Sequence, residues 1–243
     1  MRTINASVSK VAKSTKRSDR IRYWHPSSVG LICPAHTPET GEKVGTTKLL
    51  AITALVTDSD DNEALLKDFI LHDDAVIPLL KVRIPDIGKR RLARIYVNGE
   101  WIGVCEKPHD FVERYRMLRR EGQLERFTSI EWNCVDNVIY FYMDLGRLMR
   151  PLLIVDNNLE DFNAGKVKDF VQNIRLTYDH VERMLKGELS FEHLVRLGLV
   201  EYIYAGEEVL LCPSLEVLQK DKNNFAQRWT HCDMEYALYG ISA

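Results

Sequence analysis

Cys33 and His36 stand three positions apart and supply the residue types of a nucleophile and a base. They sit on a stretch bracketed by Pro34 and Pro38, with no third group to orient the imidazole, and a structural cysteine is the favoured reading. His72, Asp73 and Asp74 are metal-ligand types, but adjacent carboxylates point apart on a helix or a strand, so no metal is assigned. Asp58-Ser59-Asp60-Asp61-Asn62 reads as a plain acidic loop. The chain contains no G-x-x-x-x-G-K-[ST] phosphate loop, no H-E-x-x-H and no G-x-S-x-G. Cys33, Cys105, Cys134, Cys212 and Cys232 are odd in number and widely spaced without a C-x-x-C pair, which excludes a disulfide framework and a zinc knuckle and leaves reduced, mostly buried thiols. No residue is assigned a catalytic role.

Electrostatics is more informative. The formal net charge of the 243 residues is −2, yet the first 25 hold Arg2, Lys10, Lys13, Lys16, Arg17, Arg20 and Arg22 against Asp19, and end near the aromatic pair Tyr23-Trp24. Basic side chains neutralise phosphate and aromatic faces stack on bases, so this segment has the composition of a nucleic-acid contact. A solvated terminal arm has the same composition, and charge alone leaves both readings open.

The elements that would position these groups follow from pattern. Residues 1–22 lack hydrophobic period and read as a loop or arm; Pro26, Gly30, Pro34, Pro38, Gly41 and Gly45 then punctuate an irregular segment. Residues 47–56 are apolar enough for a helix or strand in a core, and a domain boundary is expected in the acidic loop that follows. Residues 63–71 read as helix. Residues 93–97 and 100–104 flank Asn98-Gly99, the dipeptide that tolerates positive φ at both central positions of a tight hairpin. Residues 109–121 predict an amphipathic helix with Phe111, Tyr115 and Leu118 on its buried stripe. Arg114, Arg116, Arg119 and Arg120 fall largely off that stripe, solvated or facing nucleic acid, and Gly122 is the stop. Residues 138–143 and 151–155 read as strands. Phe170, Ile174, Tyr178, Val181 and Leu185 predict one helix with a buried stripe over 168–186, closed by Gly187. A short helix follows at 191–197, then a hairpin of 199–204 and 208–212 over Ala205-Gly206-Glu207. The class is α+β, several small mixed regions of short, mainly antiparallel strands and hairpins with helices. Hydrophobic residues make up 45% of the chain, as expected for a folded core, but apolar runs stay far below the roughly 20 residues of a membrane helix. With a polar, basic start and no secretory signal, an intracellular protein without membrane partners is expected.

Residues 30–45, continuing through Lys48 to Ala51, resemble the C-P-x-E-T-P-E-G-x-x-x-G-L-x-K-x-L-A signature of the fork region in second-largest subunits of multisubunit DNA-directed RNA polymerases. Cys33, Pro34, Thr37, Pro38, Glu39, Gly41, Gly45 and Lys48 carry that likeness. Five further blocks follow in the family's order. Residues 97–104 resemble V-N-G-x-W-x-G-V, residues 118–122 resemble L-R-R-x-G, and residues 144–152 resemble D-A-G-R-x-x-R-P-L. Residues 198–203 resemble G-x-V-E-Y-I-D, and residues 230–233 resemble T-H-C-E. His36 stands where the family's first glutamate would be, Thr40 adds a residue before Gly41, and Leu145 replaces a small residue; such drift suggests a large DNA virus or another divergent lineage.

The resemblance implies a fork-region second half over 1–56, a first external region over 57–123, connecting strands and a second external region over 124–220, and the start of a hybrid-binding region over 221–243. It implies a nucleotidyl-transferring, ribonucleoside-binding assembly whose catalytic residues lie on other parts, with magnesium held outside this chain. Implied partners are the largest subunit and other polymerase subunits, the DNA template and the RNA–DNA hybrid, in the nucleus, host cytoplasm or virion. A split gene or a piece of a longer subunit is expected. On this reading residues 6–20 form the fork loop, and Lys10, Lys13, Lys16, Arg17, Arg20 and Arg22 face nucleic acid. Arg147 and Arg150 become buried donors that stitch loops. The alternative is a free-standing noncatalytic nucleic-acid or protein-binding module derived from such a subunit.

Overall fold

Strands of two to six residues, with one of ten, carry most of the architecture. The computed structural model describes residues 3–5, 22–23, 25, 28, 30–33, 44–58, 63–83, 85, 92–157, 172–211, 213–214 and 230–233. In chain order β1 (Thr3–Asn5), β2 (Thr47–Leu49) and β3 (Leu55–Val56) precede α1 (Glu63–Leu71) and β4 (Val76–Pro78). The hairpin β5 (Ala93–Val97) and β6 (Glu100–Cys105) leads into α2 (Pro108–Arg120), then β7 (Ser129–Asn133), β8 (Val138–Tyr142) and the long β9 (Leu148–Asn157). After β10 (Gln172–Ile174) come α3 (Tyr178–Leu185), α4 (Phe191–Arg196), β11 (Val200–Tyr204), α5 (Ala205–Leu210), β12 (Pro213–Ser214) and β13 (His231–Asp233). The class is α+β, as the pattern of short strands and helices predicts.

The first large sheet runs β4-β6-β5-β8-β7, antiparallel except for the parallel β5–β8 pair. Its hairpin turns where the sequence predicts, with Asn98 at φ 46° and Gly99 at φ 85°. The Asn98 amide donates to Glu63 Oε2 at 2.7 Å and its Oδ1 accepts from the Met143 N–H at 2.8 Å, so the turn is tied to α1 and to the end of β8. Gly103 is dictated by packing, since a Cβ there would lie 2.6 Å from the Ile77 carbonyl oxygen on β4. Alternation on β5 and β8 sends Ile95, Val97, Ile139 and Phe141 to one face, where Leu66 and Ile70 of α1 and Phe111, Val112 and Tyr115 of α2 bury them. Each such side chain contributes about 1.5–3 kcal/mol on leaving water.

The second large sheet is built on β9. β11 pairs with Met149 to Leu153, β13 with Leu152 to Ile154, β3 with Leu148 and Met149, and β10 with the far end. Because β11 shares residues with both β13 and β3, those two must lie on the opposite edge of β9. Leu153 and Val155 pack with Cys232, Val200 and Leu194 on one face, and Leu152 packs with Ile203 and Leu211 on the other. A third, two-stranded sheet pairs β1 with β2.

Three expectations are corrected. The helix expected over 168–186 is, within the described residues, strand β10 and then α3, which starts only after Thr177. The Thr177 N–H donates to His180 Nδ1 at 3.2 Å there, and the same device recurs between Ser190 and His193 at the start of α4. The α3 stripe is not buried: Tyr178 and Leu185 are 82% and 84% exposed, and Met184 is the residue that packs on the core. The expected hairpin over 199–212 is strand β11, paired with β9, followed directly by α5; Cys212 lies outside the described residues.

Candidate functional site

Lys10, Lys13, Lys16, Arg17 and Arg20 lie outside the described residues, as do Pro34, His36, Thr37, Pro38, Glu39 and Gly41. The described part of the fork-like segment is stitched to β2. The Arg22 guanidinium donates to the Val44 carbonyl, and Lys48 Nζ donates to the Tyr23 carbonyl at 3.0 Å. Gly45 has φ 69°, and a Cβ there would lie 3.0 Å from the Arg22 Cβ and 3.2 Å from the Arg22 carbonyl oxygen, so a side chain would meet both strain and crowding. The Cys33 N–H donates to the Leu49 carbonyl and the Ala51 N–H to that of Leu31, both at 2.9 Å. Arg22, Cys33, Gly45 and Lys48 thus come together at one edge, around backbone carbonyls rather than around a reacting centre.

Behind this edge lie two arginine junctions. Arg150, with 2% side-chain exposure, reaches Glu208 of α5 through Nε at 2.9 Å and Nη2 at 2.5 Å, and Asp233 of β13 through Nη1 at 2.6 Å. It also lies flat on Gly30, at φ 70°, where any Cβ would collide with the guanidinium. One side chain therefore joins the fork-like segment, β9, α5 and β13. Burial pulls its pKa down, but Glu208 and Asp233 more than offset this and hold it above the ordinary arginine value. Arg147 donates to Ser129 Oγ at 2.6 Å and to the Asp144 carbonyl at 2.7 Å, joining the two large sheets. Both arginines are structural donors, as expected.

The second junction corrects the reading of α2. Arg119 is neither solvated nor free for nucleic acid. It contacts Glu201 Oε1 of β11 at 2.6 Å, both Glu207 oxygens of α5 at 2.9 Å and the Thr128 carbonyl at 2.6 Å. Arg120 Nε donates to Glu201 Oε2 at 3.0 Å, and His231 Nε2 lies 3.0 Å from the same oxygen. Arg116 faces Glu207 at 3.5 Å, and Arg114 pairs with Asp73. Burial pushes the Glu201 pKa up, but Arg119, Arg120 and His231 outweigh it and hold the carboxyl well below the usual range. The signal that marks Arg119 is its spacing. It stands four residues after Tyr115 and eight after Phe111, on the buried stripe itself.

His72, Asp73 and Asp74 form no metal centre. Asp73 accepts from the Ala75 N–H at 2.9 Å and the Tyr115 hydroxyl at 3.1 Å, which anchors the turn before β4 to α2. Among the described residues no three His, Cys, Asp or Glu side chains converge to hold an ion, and the interior carboxylates of Glu201, Glu207, Glu208 and Asp233 are occupied by arginines. A cleft of about 380 Å³ between the end of α2 and α4 is lined by Arg120, Arg126, Glu192, Arg196 and Tyr202, with Glu192 bridged by Arg126 at 3.3 Å and Arg196 at 2.9 Å. Glu121, Glu125 and Glu201 also line it, so acidic and basic side chains alternate along its wall.

The described residues thus form short elements joined by interior ion pairs. Residues 1–56 match the family model RNA polymerase Rpb2, domain 3, and residues 95–156 match RNA polymerase Rpb2, domain 4. The chain belongs to the family of second-largest subunits of DNA-directed RNA polymerases. It is 35% identical over 208 residues to the DNA-directed RNA polymerase III subunit RPC2 of Saccharomyces cerevisiae, covering 82% of this chain and 16% of that protein. The RNA polymerase II subunit RPB2 of Meyerozyma guilliermondii is 29% identical over 245 residues, covering 92% of this chain and 18% of its own. That of Encephalitozoon cuniculi is 25% identical over 249 residues, covering all of this chain and 20% of its own. The chain thus spans a fifth or less of the length of these relatives.

Proposed function

We propose that this chain is a noncatalytic part of a DNA-dependent RNA polymerase. It shapes the cleft and grips nucleic acid by charge while nucleotidyl transfer, with magnesium, belongs to the rest of the assembly. The observation that carries the reading is Arg150, which clasps Gly30, Glu208 and Asp233 with one guanidinium. In the family resemblance the stretches that lead from Gly30 and from Asp233 are those that approach nucleic acid, and a shared buried arginine holds their roots in fixed relation. Residues 6–20 then act as the fork loop, with Lys10, Lys13, Lys16, Arg17, Arg20 and Arg22 toward separated strands. The partners are the largest subunit, other polymerase subunits, the DNA template and the RNA–DNA hybrid. The chain acts inside the cell, and the Thr37-Pro38-Glu39-Thr40-Gly41 departure favours a viral or otherwise divergent source.

Replacing Lys10, Lys13, Lys16 and Arg17 together by Ala in the assembled polymerase tests the arm. Each lost phosphate contact lowers the slope of log affinity against log salt by about 0.7–0.9, so loss of all four reduces the salt dependence of open-complex stability by about 3 to 4. An unchanged slope with unchanged elongation contradicts the proposal.

A further inference from the structure

The five-stranded sheet has a second face, turned away from α1 and α2. Tyr96 of β5 and Tyr140 of β8 are register partners with ring centroids 5.5 Å apart. Trp101 stacks on Tyr96 at 6.2 Å, Tyr142 follows Tyr140 at 5.7 Å, and Tyr204 at the end of β11 lies 6.1 Å from Tyr142. Five partly exposed rings run in one file across this face. Surfaces of this composition supply the anchoring contacts of protein interfaces, where flat rings bury area at small entropic cost.

At the Tyr204 end stands Glu131 of β7, the register partner of Tyr140. Its Oε2 and the Tyr204 ring both crowd the space beside Gly206, where an added Cβ would lie 3.0 Å from the carboxylate oxygen and 2.8 Å from the ring. Glu201, Glu207, Glu208 and Asp233 all have arginine partners, whereas among the described residues no cation reaches Glu131. Arg94, on the same face, is turned to the Asp136 carbonyl at 3.4 Å. Burial, and then the like charge of Glu207, push the Glu131 pKa up.

We propose that this face docks a segment of another polypeptide chain that carries an arginine or lysine, with its cation seated on Glu131 and against the Tyr142 and Tyr204 rings. A desolvated carboxylate beside negative ring faces attracts a cation from both sides. A guanidinium fits best, because it stacks flat on tyrosine and forks to a carboxylate. The flanking residues of that segment lie along Tyr140, Tyr96 and Trp101. Nucleic acid is the poorer occupant, since its phosphates would meet the Glu131 charge. This surface is independent of the arm and of the cleft-shaping role.

The test uses the full chain and the labelled peptide acetyl-Ala-Pro-Arg-Leu-Ala-amide at up to millimolar concentration, beside the same peptide with citrulline, arginine's uncharged isostere. The arginine peptide binds about tenfold more tightly than the citrulline peptide, Glu131→Gln abolishes that difference, and Tyr142→Ala weakens both. Circular dichroism checks that the variants keep the fold. In the unaltered chain, a labelled Glu131 carboxyl resonance titrates at lower pH once the arginine peptide is bound. Equal affinity for the two peptides, no binding of either, an unmoved Glu131 titration, or displacement by polyuridylate each overturns the proposal.

Discussion

At Arg119 a guanidinium with 2% side-chain exposure meets carboxylates from two other elements, so its removal takes from Glu207 its two shortest charged contacts and leaves Glu201 with Arg120 and His231 alone. Breaking a buried pair from one side costs about 3–5 kcal/mol, far more than the pair contributes relative to apolar replacements. Arg119→Ala is therefore expected to lower the unfolding free energy by an amount of that order, read as a lower denaturant midpoint at unchanged slope, and a loss below about 1 kcal/mol would contradict the junction. The pH dependence has a fixed sign. The Glu201 pKa is depressed on folding, so its contribution is complete above the ordinary value of 4.5 and is lost as pH falls through the depressed folded value. Glu201→Gln flattens the acid limb of the stability profile relative to the unaltered protein. The buried roles of Arg147 and Arg150 were legible in the sequence through the block that contains them. Arg119 was not, because a charged residue is read by default as solvent-facing, although its spacing from Phe111 and Tyr115 marked it.

Among the elements, the β5–β6 hairpin was legible because its determinants are local: Asn98-Gly99 sets the turn and alternation sets the faces. Strand β7 and the split of 168–186 into β10 and α3 were not. β10 exists as a partner of the last residues of β9, and a contact with a distant strand leaves no period in its own sequence. α5 shows the same limit in another form. Ala205-Gly206-Glu207 reads as a turn, yet Glu207 and Glu208 reach Arg119 and Arg150, and these interior ion pairs override local propensity. Gly103 gives the sharpest test at this scale. Gly103→Ala drives a Cβ into the Ile77 carbonyl, with an expected loss of about 1–3 kcal/mol and faster amide exchange at Val76 and Ile77 before the rest of the sheet. Uniform exchange across all five strands would show that β4 is not held by that contact.

For the whole molecule, two sheets with separate hydrophobic clusters are joined by arginines: Arg119 and Arg120 between α2, β11 and α5, Arg147 between the sheets, and Arg150 at the fork-like segment. Such a framework fixes the two sheets relative to each other through side chains that the sequence places far apart. The ordered motifs made the family legible from the sequence, but the geometry of the fork-like edge was not, since stitches such as Lys48 to the Tyr23 carbonyl depend on how distant loops meet. The most direct measurement is templated RNA synthesis by this chain alone and by the complex that copurifies with it from its native source. No nucleotide incorporation is expected from the chain alone, and DNA-dependent synthesis is expected from a complex in which mass analysis finds a largest polymerase subunit. Incorporation by the isolated chain, or copurification without any polymerase subunit, would contradict that expectation.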